Sequence, residues 1–146
     1  MSSNPAYIGP GYWAAWHIKA LKADTREKKL EVARSISIDV LNFPCEVCHK
    51  DASEYIRTHP MYEAINSEDP YSIFYYTVDF HNHVNLKLHK SIGSVDHDTA
   101  RRMWEENGVC VGDCGLEESE IDRDERPRST DSNQSNESDQ IVMKSY

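Results

Sequence analysis

Residues 74–90 read FYYTVDFHNHVNLKLHK, and the fold turns on how this stretch is read. Phe74, Val78, His81, Asn85 and Leu88 recur at steps of 4, 3, 4 and 3, the spacing that lines one face of an α-helix. Two members of that inward-facing row, His81 and Asn85, are polar. The same anomaly appears near the N-terminus, where Trp13, Trp16, His17, Ala20 and Leu21 form a helical stripe with His17 inside it. A buried imidazole or amide without a partner costs about 1–3 kcal/mol, so each must bond something. They can bond one another or backbone carbonyls. Three such groups converging on one bundle point further, to a polar ligand held between helices.

Working outward, the pattern predicts five helices and a tail. The first starts near Pro10 and runs to about Lys22. The second follows Asp24, whose spacing from Glu27 resembles a capping box; it carries Ala33, Ile36, Val40 and Phe43 on one face and ends at Pro44. The third starts at or just before Cys45 and stops at Pro60. The fourth has Asp69 as N-cap and Pro70 at its first position, and continues to about Lys90. A shorter fifth covers roughly residues 96–107, closed by Gly108. The fold class is therefore all-α, a four-helix bundle with a short fifth helix.

The second stretch that carries chemistry is NFPCEVCHK, residues 42–50. Cys45 and Cys48 could clamp half a zinc site, spell with His49 the C-x-x-C-H of c-type haem attachment, or form a redox disulfide. Pro44 places both sulfurs in the first turn of a helix, where free N–H groups and the dipole favour a thiolate. Zinc needs two further ligands, from Cys110 and Cys114 or from His81 and His83, across a gap that is long for a small zinc module. The residues alone rank a redox disulfide first, zinc second and haem third.

Bulk composition narrows the partners. The 146 residues suffice for one domain with a core. Residues 1–114 carry 12 Lys/Arg against 16 Asp/Glu, and residues 115–146 carry 4 against 9, so no basic stripe offers itself to nucleic acid. From Gly115 onward the chain is polar and acidic, and is expected to be a disordered tail. No run approaches the ~20 apolar residues that span a bilayer. The opening MSSNPAYIGPGYW has neither basic nor apolar signal regions, so the expected address is cytoplasmic.

Taken together these residues resemble the Erv/ALR family of FAD-linked sulfhydryl oxidases. The matching pieces are W-x-x-x-H at Trp13 to His17, F-P-C-x-x-C at Phe43 to Cys48, H-N-x-V-N-x-x-L-x-K at His81 to Lys90, and R-x-W at Arg102 to Trp104. The resemblance implies a sulfhydryl oxidase domain over residues 1–114, with FAD in the mouth of the bundle against the C-x-x-C disulfide, and the tail over 115–146. It implies Cys48 as the thiol facing the flavin and Cys45 as the interchange thiol that receives electrons from a dithiol protein. It further implies FAD contacts from Gly11, Trp13, His17, Cys48, His81, Asn82, Asn85, Lys87, Lys90 and Trp104, with no metal. Electrons would pass to oxygen, giving hydrogen peroxide, and the enzyme would be a homodimer.

Two departures from the family pattern matter. Val78 stands where many cellular members have a structural cysteine, which with the short N-terminus looks more like members encoded by large cytoplasmic DNA viruses; these make disulfides for virion proteins. Cys110 and Cys114, among Gly108, Gly112 and Gly115, offer a shuttle disulfide, against the plainer readings of a static disulfide or idle thiols. The contrasting function is a non-catalytic helical binding module stapled by metal or haem at Cys45 and Cys48.

Overall fold

The computed structural model describes residues 2–107. Gly108, the Cys110 and Cys114 pair and the 115–146 tail lie outside the described residues. Six helices account for the regular structure: α1 (Pro5–Leu21), α2 (Arg26–Leu41), α3 (Glu46–Thr58), α4 (Tyr62–Asn66), α5 (Ser72–Lys87) and α6 (His97–Asn107). Among the described residues there is no strand, so the all-α expectation holds.

The helix ends depart from the sequence reading for local reasons. α1 begins at Pro5 rather than Pro10, because Asn4 accepts a hydrogen bond from the Ala6 N–H and Pro5 supplies the fixed φ of a first position. Pro10 is then carried inside the helix, where its missing donor removes one backbone bond. α2 is capped by Thr25, whose hydroxyl accepts from the Lys28 N–H; Asp24 instead forms an ion pair with the Lys28 ammonium at 2.7 Å. Asp69 does not cap α5 directly. Its carboxylate accepts from the Tyr71 N–H at 2.8 Å, a turn that delivers the chain into the helix three residues later, at Ser72. The short α4 had no counterpart in the sequence pattern; with five residues it is too brief to display a period.

α5 stops at Lys87 rather than Lys90. His89 takes a positive φ of 52°, and the Lys90 and His89 N–H groups bond back to the Asn85 and Leu86 carbonyls. This is a Schellman ending with histidine where glycine is usual.

α1 and α5 are the central pair, with α2 and α4 packed to one side, α3 against α2, and α6 against α1 and α5. Their seam is aromatic. Trp16, 1% exposed, stacks on Phe80 and Phe43, and its indole N–H donates to Asp39 at 2.8 Å. Ile36, Ile73, Phe74 and Val78 complete the buried core. This places Phe74, Val78, His81 and Asn85 where the periodicity put them, on the buried side of α5; Leu88, the last of the row, is the C-cap of the helix and is exposed, because α5 ends one residue before it.

One buried cation holds the loop before α5. Lys29 is 2% exposed and donates to the Ser67 and Asp69 carbonyls at 2.8 and 2.6 Å. Lys29→Met would keep the side chain's bulk and strip both bonds, leaving two carbonyls without their donor. We expect a loss of about 2–3 kcal/mol, read as a lower urea midpoint at unchanged m-value; an unshifted midpoint would mean the loop is held by other contacts.

Candidate active site

Cys45 is the N-cap of α3, in extended conformation (φ −108°, ψ 111°), and its sulfur lies 3.2 Å from the Cys48 N–H. Pro44 before it ends the helical run, and Glu46-Val47-Cys48 form the first turn, so both sulfurs meet at the positive end of α3. They are bonded to each other as a disulfide. Among the described residues no three His, Cys, Asp or Glu side chains gather as a metal site.

The disulfide opens on a cavity of about 410 Å³ walled by α1, α3 and α5. Tyr12, Trp13, Trp16, Phe43, Phe80 and Val84 make its walls largely apolar; Asp51, His83, Lys87 and Lys90 bring the polar groups. Lys87 forms an ion pair with Asp51 at 2.6 Å. The Schellman ending of α5 turns the chain so that Lys90 lies on the cavity lining too.

Behind Trp13 lies a buried polar chain. Trp13 stacks flat on His81, with centroids 4.2 Å apart and planes 6° from parallel. His17 and His81, both 0% exposed, meet through Nε2 and Nδ1 at 2.9 Å, and His17 Nδ1 meets the Thr77 hydroxyl at 2.9 Å. The tautomers follow from counting protons. The Thr77 hydroxyl donates to the Phe74 carbonyl at 2.7 Å, so its oxygen accepts from His17 Nδ1–H. Burial pushes the His17 pKa from 6.5 down to about 3, so His17 is neutral and its Nε2 accepts from His81 Nδ1–H.

The sequence-predicted residues thus divide. Trp13, Cys48, Lys87 and Lys90 line the cavity. His17 and His81 bond each other, as the plainer reading of buried histidines allowed, and sit one layer behind, with Trp104 against His17 at 4.9 Å. Asn82 engages the Val95 backbone with both amide atoms, at 2.8 and 2.9 Å, and so ties α5 to the loop before α6. Gly11 has open space around it. Asn85 is not satisfied internally. It is 0% exposed, yet neither amide atom has a hydrogen-bond partner among the described residues, and the Trp104 indole N–H has none either. Buried polar atoms are rarely left so, and these fit a site completed by a bound group. The donor set suits a flat aromatic ligand with an anionic end: ring walls at Trp13 and Phe80, cations at Lys87 and Lys90.

Sequence reading passed over Tyr12, Phe80, Val84 and His83 as cavity residues. Phe80 and Val84 stand one residue to the side of the His81 and Asn85 row, and only the crossing of α5 over α1 brings them to the wall. His97 pairs with Asp79 at 2.7 Å at the surface and stacks on Tyr75.

The chain belongs to the Erv1/Alr family, whose model matches residues 10–105. Two relatives are proteins of African swine fever virus, each named as an FAD-linked sulfhydryl oxidase. The chain is 34% identical to that of a Kenyan pig isolate and 36% identical to that of a Namibian warthog isolate. Each match runs over 87 residues, 58% of this chain and 70% of the relative. No solved structure matches the chain significantly. No described helix is long and apolar enough to cross a membrane.

The buried neutral His17 makes stability depend on pH in a defined direction. Its folded pKa, about 3, lies below its ordinary value of 6.5, so between these limits the unfolded chain binds the extra proton. The contribution is intact above pH 6.5 and is lost progressively as pH falls from 6.5 toward 3. At most this amounts to about 1.4 kcal/mol per pH unit. Urea unfolding between pH 7 and 4 should show this decline, and His17→Gln should be less stable at pH 7 but have a flatter profile. Parallel profiles for the two would place the titration elsewhere.

Proposed function

We propose that this chain is an FAD-dependent sulfhydryl oxidase that makes disulfides in dithiol proteins. The observation that carries the reading is the Cys45–Cys48 disulfide, set on the first turn of α3 and opening into an aromatic cavity with lysines on its lining. Family membership and the printed names of the viral relatives support it. Residues 1–114 are taken as the oxidase domain.

The chain's own residues do the following. A substrate thiolate attacks Cys45 Sγ; the Cys45–Cys48 bond breaks and its electron pair leaves on Cys48. Cys48 sits at the third position of α3, where unpaired N–H groups and the helix dipole stabilise the departing thiolate. A second substrate thiolate then attacks its own sulfur in the mixed disulfide, and Cys45 leaves as a thiolate. The substrate has lost two electrons and the enzyme pair has gained them. FAD, when bound, supplies the capacity to take up that electron pair and pass it to oxygen, with release of hydrogen peroxide.

Trp13 and Phe80 would flank the ring system and keep water from it. Lys87 and Lys90 would meet its phosphates. Asn85 and Trp104, which lie behind the cavity lining, carry unspent hydrogen-bonding atoms that a bound cofactor could engage, and the His17–His81 pair would hold Trp13 in place from behind. Gly11 belongs to the family's set of contacts, while Asn82, its amide spent on Val95, would hold the loop before α6 in place. The finer reading places the protein on the viral branch, working in host cytoplasm or virion on virion proteins as a homodimer. In it, Cys110 and Cys114 relay electrons from substrate to Cys45.

The visible spectrum of the purified protein tests the central claim. A flavin spectrum that bleaches with dithiothreitol without air, and returns when oxygen is admitted, is expected. Cys48→Ser should keep the colour and abolish the bleaching. A colourless protein carrying stoichiometric zinc, or one with a Soret band, would overturn the reading in favour of a stapled binding module.

A further inference from the structure

We infer that the backbone on either side of Cys45 is a docking edge for one extended, cysteine-bearing segment of the substrate, and that Ser2 and Ser3 rest in its place. The inference rests on the oxidase reading and concerns the side of the disulfide away from the 410 Å³ cavity.

Cys45 has the dihedrals of a strand residue, not of a helix. Its neighbours therefore present one acceptor and one donor outward, as strand residues do: the Pro44 carbonyl and the Glu46 N–H, which as the first N–H of α3 has no partner within the helix. Both are taken by the N-terminus. The Ser3 N–H donates to the Pro44 carbonyl at 2.9 Å, and the Glu46 N–H donates to the Ser2 hydroxyl at 3.2 Å. The Ser3 backbone meets Pro44 and the Ser2 hydroxyl reaches Glu46, so the segment runs antiparallel to residues 44–46 with Ser2 opposite Cys45. Cys45 is only 3% exposed, although its sulfur is the one a substrate thiolate has to reach. Beside the strap a surface trough of about 290 Å³, lined by Ser2, Leu41, Phe43, Pro44, Glu46 and His49, leaves room for neighbouring substrate side chains.

The pairing defines where a substrate cysteine would go. In an antiparallel pair, the acceptor before Cys45 and the donor after it bracket a position of the kind that exchanges no hydrogen bonds of its own. Residues facing each other there lie about 4.5 Å apart at Cα, inside the range a disulfide spans. That position is Ser2's. A substrate cysteine in it would bring its thiolate to Cys45 Sγ. The N–H of the following residue would bond the Pro44 carbonyl, and the carbonyl of the preceding residue would accept from Glu46. Its attack forms the mixed disulfide with Cys45, breaks the Cys45–Cys48 bond and leaves the electron pair on Cys48, as in the sequence of steps above. Ser2, its hydroxyl taken by the Glu46 N–H, occupies the position with no thiol to react.

The test follows exchange at Cys45 without relying on turnover. The full chain carrying Cys48→Ser, Cys110→Ser and Cys114→Ser keeps Cys45 as its sole thiol. It is mixed with the peptide Gly-Cys-Gly-Gly, acetylated and amidated at its ends and activated as a mixed disulfide with thionitrobenzoate, and release of thionitrobenzoate gives the rate. Two further peptides carry one N-methyl group each. Methylation of the residue after cysteine removes the donor for Pro44 and should slow exchange about fivefold, the worth of one hydrogen bond. Methylation of the cysteine's own amide, which points away from the edge, should leave the rate unchanged. Ser2→Ala with Ser3→Pro removes both strap bonds without touching the core, and should speed exchange of the unmethylated peptide severalfold. Equal rates for the three peptides, or a strap variant no faster than its parent, would overturn the docking edge. If the unmutated chain still oxidises dithiothreitol in that case, the oxidase reading stands; if it does not, that reading falls separately.

Discussion

The structure depends on satisfying polar groups at the α1–α5 seam. His17 and His81 cannot be packed there as charges or as orphans, and the solution is a directed hydrogen-bond chain that starts at the Phe74 carbonyl and runs through Thr77 and His17 to His81. Each link is fixed by the one before it. Because the Thr77 proton is committed to the backbone, His17 has one tautomer, and because burial keeps His17 neutral, His81 must donate to it. A buried chain of hydrogen bonds holds its members rigidly. Here the rigidity is passed on to Trp13, which lies flat on His81 and forms a wall of the cavity.

The same economy explains what is left open. Lys29 serves two loop carbonyls, Trp16 serves Asp39, and Asn82 serves Val95 with both ends of its amide. Against these pairings, the Asn85 amide and the Trp104 N–H are buried hydrogen-bonding atoms without a partner among the described residues. The disulfide has two sides with different tasks. Toward the bundle mouth it meets an aromatic cavity suited to an electron acceptor; toward the surface two serines are bonded to the residues on either side of Cys45. A thiol exchange site needs both an approach for substrate and an exit for electrons, and a C-x-x-C at a helix start can serve the two from opposite faces.

The stripes of α1, α2 and α5 were legible because amphipathic periodicity is a local record of which face is buried, and Phe74, Val78, His81 and Asn85 are indeed all buried. The polar interruptions were legible for the same reason: His17, His81 and Asn85 sit at positions where an apolar residue costs nothing, so a polar one implies a use. Motif spacing carried the family, since F-P-C-x-x-C and H-N-x-V-N tie a thiol pair to particular helix positions. Helix ends were read less well. Asn4 was passed over in favour of Pro10, and Asp69 was given a cap when it makes a turn, because several residues near each end could cap and only the packed loop, pinned by Lys29, selects among them.

By itself the sequence determined an all-helical chain, the seam formed by its interrupted stripes, the position of the two cysteines at a helix start, and the family. These rest on short-range rules of period, propensity and spacing. The tertiary structure alone decided which histidine donates to which, that Phe80 and Val84 join the cavity wall, that Asn82 is spent on Val95 while Asn85 is not, and that Ser2 and Ser3 fold back over Cys45. Each of these joins residues more than twelve positions apart or compares the surroundings of two like side chains. No local pattern encodes them, because they arise only when α1, α3 and α5 are brought together and each buried group must find its partner among those the packing makes available.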